Sequence, residues 1–198
     1  MLQSFRQAIS IFILLGLCVG VAYPMLMTGI SSLVFPWQAH GSLLREQGKV
    51  VGSQEIGQYF TSPQYFWGRP SATDPVPYDA ASSGASNLGP SNPVLFRHIA
   101  KRVAYLRRMD PTEGNRPVPV DLVTSSFSGL DPDISIAAAQ YQIARVAAAG
   151  HLPLGTVQNL VRANTHWPLI PFIGEPVVSV LPLNLGLEKL YIIKNNRP

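Results

Sequence analysis

From Ala8 to Phe35 the chain carries no charged side chain; Arg6 stands just before this run, and Arg45, Glu46 and Lys49 resume charge after it. A helix rises about 1.5 Å per residue and needs roughly 20 apolar residues to cross the hydrocarbon core of a bilayer. The run exceeds that length, so it reads as a membrane anchor and the rest of the chain is tethered. A cleaved leader would have a shorter apolar core and a small-residue cleavage site. Here Met25, Met27, Ile30 and Leu33 extend the core, Tyr23 and Pro24 offer no such site, and Leu17 is too large to precede a lipidated cysteine at Cys18. An uncleaved anchor is expected. Gly16, Gly20 and Gly29 thin its surface, which permits close approach of other membrane helices.

Lys and Arg close to a span favour the cytoplasmic side, whereas a large domain translocates largely regardless of charge. Arg6 and the amino terminus lie on the short side; Arg45 and Lys49 lead a long segment. The expected order is a cytoplasmic amino terminus (1–7), a transmembrane helix with an interfacial flank (8–35) and an extracytoplasmic soluble domain (36–198). The fold class expected is α+β: a single transmembrane helix followed by one mixed α/β domain.

Of 198 residues, the anchor leaves roughly 160, enough for one domain with a real core. Cys18 is the only cysteine and lies in the span, so the domain has neither a disulfide nor a cysteine metal site. The formal net charge is +4. Arg97, Lys101, Arg102, Arg107 and Arg108 account for all of it, in a stretch without acids. They sit on an expected helix opened by Asn92 as N-cap and Pro93 at the first position, with Leu95, Ile99, Val103 and Leu106 as its apolar stripe. An ordinary solvated face explains these charges; a membrane-surface contact through Arg97 to Arg108 is the alternative, and nucleic acid is not expected as a partner.

After the anchor, Ser42–Leu44 and Val50–Gly52 read as short extended pieces around a turn, followed by a brief helix near Glu55–Phe60. Residues 61–93 read as a long loop whose Tyr65, Phe66, Trp67 and Tyr78 mark it as packed down. Pro117–Thr124 alternates toward a strand, and Ser125–Pro132 is a polar turn. Ser135 caps an alanine-rich helix ended by Gly150. Leu152–Asn164 gives a further helix with Thr156 as its cap, Val177–Leu181 is a β-branched run, and Leu183–Leu190 fits strand and helix periods equally.

No P-loop, Gly-x-Gly-x-x-Gly or Asp-Lys-Thr-Gly-Thr loop is present, so the chain does not read as a nucleotide hydrolase. His40, His98, His151 and His166 are scattered, without metal-ligand spacing. Gly84-Ala85-Ser86-Asn87-Leu88-Gly89 approaches a nucleophile elbow, but its second glycine is one residue too far. A hydrolase using Ser86 is therefore a lesser alternative. Ser83, Ser86, Asn87, Ser91 and Asn92 surround Gly84 and Gly89 with short polar side chains. Such side chains satisfy loop backbone, or line a surface for a partner loop or a hydrated ion.

Several ordered motifs carry a resemblance. They are Val51-Gly52-Ser53 with Ile56-Gly57-Gln58; Tyr65-Phe66-Trp67-Gly68-Arg69-Pro70-Ser71-Ala72; Ser83 to Pro93; Pro119 to Thr124; Ser128-Gly129-Leu130-Asp131-Pro132; Gln142, Arg145 and Val146; and Val178 to Asn184. In these the chain resembles the KdpC family, the C subunit of the potassium-transporting Kdp ATPase, over nearly its whole length. Ala85, Asp133 and Ile136 depart from it, where glycine, histidine and proline are usual.

The resemblance implies a non-catalytic accessory subunit of an ATP-driven potassium import complex in the bacterial inner membrane. The implied partners are a channel-like potassium-binding subunit, a P-type ATPase subunit and a small single-span subunit. The family is described as a catalytic chaperone that raises the ATPase subunit's affinity for nucleotide, with the glutamine at Gln142 implicated in ATP contact. That is the only cofactor implied, and the chain alone is expected to bind none. With the domain outside, Gln142 would lie across the bilayer from cytoplasmic ATP, so the easier mechanism is an outer domain capping the potassium entrance while the anchor packs on the membrane subunits. Candidate partner-contact or structural loop residues are Arg69, Ser83, Gly84, Ser86, Asn87, Gly89, Asn92, Asp121 and Asp131.

Overall fold

A computed structural model describes residues 2–111, 114–170 and 172–195. The chain divides into two units, Met1–Val51 and Gly52–Pro198.

The first unit is dominated by an apolar helix in which α1 (Leu2–Leu17), a π turn (Cys18–Ala22) and α2 (Tyr23–Val34) run on without a break. The π turn has a local cause. Pro24 has no N–H, and its ring crowds the carbonyl four residues back, so the helix widens by one residue and Tyr23 N–H reaches Cys18 O instead. Among the described residues this is the one helix long and apolar enough to cross a membrane: it spans 33 residues, and its most apolar window has none of its surface buried within the chain. A short helix, α3 (Pro36–Ala39), follows, then a two-stranded sheet of β1 (Leu43–Glu46) and β2 (Lys49–Ser53). Gln47 and Gly48 join the strands at φ 48° and 80°, both positive, as the favoured two-residue hairpin turns require.

The second unit is built on two strand-to-helix junctions lying side by side. β3 (Asp133–Ser135) runs directly into α5 (Ile136–Gly150), and β5 (Val177–Ser179) runs directly into α7 (Val180–Asn195). β3 and β5 pair antiparallel with Ile134 opposite Val178; β4 (Thr165–His166) pairs on the other edge of β5, giving the order β3-β5-β4. Ser135 Oγ accepts from Ala138 N at 3.0 Å and so caps α5. Asp133, where the family resemblance leads one to expect histidine, accepts from Ser179 Oγ at 2.7 Å and ties the two junctions together.

The core forms where α5, α6 (Leu154–Ala163) and α7 cover this sheet. Ile134, Ala138, Ala139, Val146, Val157, Val178, Leu183 and Leu187 are all buried there. α4 (Pro93–Met109) adds the half-buried stripe Ile99 and Val103 and the buried Leu106. Its Asn92 N-cap is as expected: Oδ1 accepts from Val94 N at 2.9 Å.

Three local expectations are corrected. The helix near Glu55–Phe60 is absent; that stretch is drawn against the 128–131 turn, with Gly57 N donating to Leu130 O at 2.8 Å. The strand over Pro117–Thr124 is instead a 3-10 turn at Val120–Leu122, because Pro117 and Pro119 have no N–H for a ladder. α6 starts at Leu154 after Pro153 with no side-chain cap, so Thr156 lies inside its first turn. The ambiguous leucine run 183–190 is helical, within α7.

Candidate functional site

Residues 63–67 cross the face formed by α5 and α7 without belonging to any strand. Buried backbone groups must nevertheless be paired, and here helix side chains pair them. Asn184 Oδ1 accepts from Phe66 N at 2.8 Å while its Nδ2 donates to Phe66 O at 2.9 Å. Gln142 does the same one residue on: Oε1 accepts from Trp67 N at 2.8 Å and Nε2 donates to Trp67 O at 3.0 Å. Arg145 donates to the carbonyls of Pro63 and Tyr65, and Tyr191 Oη donates to Gln64 O at 2.7 Å. All five carbonyls from Pro63 to Trp67 thus accept hydrogen bonds from side chains of α5 and α7.

Gln142 itself is 1% exposed. Its amide nitrogen also donates to Ala138 O at 3.3 Å, and its oxygen also accepts from Arg145 at 2.6 Å. A carboxamide offers two donors and two acceptor positions. All four are filled from within the domain.

The electrostatics follow from this burial. The Arg145 guanidinium lies 3.7 Å from the centre of the Trp67 ring, and desolvation pushes its pKa down to about 10, against a smaller upward pull from Asp110. Burial pushes the Tyr191 hydroxyl up to about 12, with Tyr65 and Glu188 adding to the shift. Tyr65 donates to the Glu188 carboxylate, and its own pKa is raised, first by desolvation.

A second network gathers on the turn 128–131. Arg69 pairs with Asp131 at 3.1 Å and donates to Ser125 O at 3.3 Å. Ser71 Oγ donates to Gly129 O at 2.7 Å; Ser83 Oγ and Gly84 N both reach Ser128 O, at 3.1 and 2.9 Å. Tyr78 Oη donates to Arg69 O at 2.5 Å, and its pKa is pushed up to about 12 by burial and then by the charge of Asp131. Gly129 has φ +70°, and a Cβ there would come within 2.7 Å of Gly84 O. Only glycine fits this crossing.

Of the candidate loop residues, Arg69, Ser83, Gly84 and Asp131 therefore meet in one network. Asp121 stands apart and accepts from Ser135 N at 2.7 Å, fixing the start of α5; Asn92 caps α4. Ser86, Asn87 and Gly89 are exposed and outside the network. Ser86 shares a cleft of about 330 Å³ with His98, but among the described residues no hydrogen bond links its hydroxyl to a base, and the hydrolase alternative gains no support.

The basic helix is not a uniform solvated face: Arg102 turns inward to donate to Val123 O at 2.8 Å, and burial lowers its pKa. Sequence reasoning missed Glu188 and Tyr191 as anchors of residues 63–67. The glutamate inside the leucine-rich run and the tyrosine directly after it were the available signal. Among the described residues, no group of three or more His, Cys, Asp and Glu is placed to hold a metal ion.

Comparison with known proteins decides the family. A family model described as KdpC, the K+-transporting ATPase c chain, matches residues 5–189. The chain belongs to the KdpC family. It is 55% identical over 185 residues to the potassium-transporting ATPase KdpC subunit of Ralstonia nicotianae, covering 93% of this chain and 90% of that one. The KdpC subunit of Polaromonas naphthalenivorans is 54% identical over 191 residues, 96% of each chain, and that of Photorhabdus laumondii 52% over 185 residues, 93% of this chain and 95% of that one. Membership in KdpC makes this chain an accessory subunit of the multi-subunit Kdp potassium ATPase. With its apolar helix, it places the chain at a membrane.

Proposed function

We propose that the chain supports ATP-coupled potassium import by shape and not by chemistry. It acts beside a channel-like potassium-binding subunit, a P-type ATPase subunit and a small single-span subunit in the bacterial inner membrane. The amino terminus is cytoplasmic, the helix Leu2–Val34 packs on the membrane subunits, and the domain from Gly52 onward is extracytoplasmic, biasing the assembly toward a conformation competent for transport.

The observation that carries this reading is the filled carboxamide of Gln142. A nucleotide could contact it only by breaking bonds that hold Trp67 in the core. ATP in this reading stays with the ATPase subunit, and the effect of this chain on nucleotide use is exerted through assembly.

The test is omission and return. A Kdp complex assembled without this chain should lose potassium-stimulated ATP hydrolysis, and adding the purified full chain should restore it, while the chain alone hydrolyses nothing. Hydrolysis by the chain alone, or full activity without it, would refute the proposal.

A further inference from the structure

Between β4 and β5, four side chains stand out of the domain: Trp167 is 73% exposed, Leu169 99%, Phe172 85% and Ile173 62%. No charge occurs from Trp167 to Gly174. The strands that flank this loop are anchored, with Thr165 and His166 paired to Val178 and Val177, and Ile173 N bonds Ile170 O at 2.9 Å to form a turn near its tip. A contiguous apolar projection of this kind on a soluble domain marks a contact surface.

Two observations say what covers it. Trp167 also lines a cleft of about 610 Å³ together with Arg116, Arg162, Gln140 and Gln158, and among the described residues no acidic side chain lines that cleft. The chain also brings its own bilayer within reach, because an apolar helix of 33 residues precedes the domain by a short stretch of polypeptide. Tryptophan favours the boundary between headgroups and acyl chains, Leu, Ile and Phe favour the layer beneath it, and arginines favour anionic headgroups.

We propose that the loop carrying Trp167, Leu169, Ile170, Phe172 and Ile173 inserts into the interfacial layer of an anionic bilayer, with Arg116 and Arg162 drawing the headgroups. The domain is then held at the membrane by a second contact besides its helix. This inference does not depend on which side of the membrane the domain occupies, nor on how the chain affects ATP hydrolysis.

The experiment uses the full chain carrying Cys18→Ser with either Leu169→Cys or, as the reference, Phe127→Cys, since Phe127 is 92% exposed elsewhere. Each is labelled with a polarity-sensitive fluorophore. The chains are placed in nanodiscs of phosphatidylcholine with and without phosphatidylglycerol, both alone and within the assembled Kdp complex. The dye at 169 should be blue-shifted, shielded from iodide, and quenched several-fold more strongly by headgroup-region spin-labelled lipid than the dye at 127, in both preparations. Phosphatidylglycerol should strengthen the quenching, and Arg116→Gln with Arg162→Gln should remove that increment. A dye at 169 open to iodide and unquenched by lipid would overturn the proposal. So would lipid quenching that disappears in the complex while the dye stays shielded, because the loop would then be covered by another subunit.

Discussion

The guanidinium of Arg145 stacks 3.7 Å from the centre of the Trp67 ring while donating to the carbonyls of Pro63 and Tyr65. One side chain of α5 thus holds a loop by its backbone and by its aromatic face at once. Gln142, one turn earlier, and Asn184 on α7 extend the same grip to Trp67 and Phe66. In place of a strand, residues 63–67 have a ladder of helix side chains.

Gln142→Leu should strand the Trp67 N–H and carbonyl without partners, at a cost of about 2–5 kcal/mol for two buried groups. Gln142→Glu keeps the acceptor for Trp67 N but sets its second carboxylate oxygen against the carbonyls of Trp67 and Ala138, and should also destabilise. Urea denaturation of the full chain checks both. Asn184→Leu should act on the same loop, so the Gln142→Leu/Asn184→Leu pair should destabilise by less than the sum of the single changes, with a coupling of about 0.5–3 kcal/mol.

Gly129→Ala puts a methyl group within 2.7 Å of Gly84 O at a backbone φ of +70°. The strained conformation alone costs on the order of 1–3 kcal/mol, and the clash adds to it by pushing apart the turns that carry Arg69 and Asp131. The denaturation midpoint should fall, whereas Gly89→Ala, with nothing within 4 Å of its added carbon, should fall much less.

These sites show where the sequence was and was not legible. Asn92 before Pro93 and Ser135 before the alanine-rich helix signalled α4 and α5 because capping is local chemistry. Two extended pieces around a turn were legible at 42–52, but not that the turn is Gln47-Gly48 with both residues at positive φ. β3 and β4, of three and two residues, have no period to detect and exist because β5 lies between them. The failed helix near Glu55 was overridden by a contact from a distant segment, Leu130 O for Gly57, whereas the failed strand at Pro117 had a local cause, the missing N–H groups of Pro117 and Pro119. Arg69 and Asp131 were singled out as loop residues, but their pairing across 62 positions left no trace in local pattern.

Alkaline pH should weaken the domain. Tyr78 and Tyr191 have pKa values pushed from 10.0 up to about 12 by folding. Between those values the native state holds more protons than the unfolded chain, so stability falls as pH rises. Arg145 works in reverse: its value drops from 12.5 to about 10 on folding, the unfolded chain holds the extra proton, and stability rises over that window. Tyr65, also raised, adds to the tyrosines and Arg102, also lowered, to the arginine; three tyrosines against two arginines give a net loss between about pH 10 and 12, read as a falling denaturation midpoint. Tyr78→Phe should flatten the slope.

Sidedness is best read from an exposed position. Gln142 is too deeply buried to label; Phe127→Cys in a Cys18→Ser background is exposed. An impermeant maleimide should label it in intact cells, once the outer membrane is made permeable where one is present. Labelling only after lysis would place the domain in the cytoplasm.

The most direct measurement is the ATP dependence of potassium-stimulated hydrolysis by complexes containing Gln142→Leu, purified to full subunit occupancy. If Gln142 serves the fold, the chain should be less stable and less of it should assemble, yet fully assembled complexes should keep the KM for ATP of the unaltered complex. A raised KM for ATP, with the chain's stability and assembly unchanged, would contradict the account.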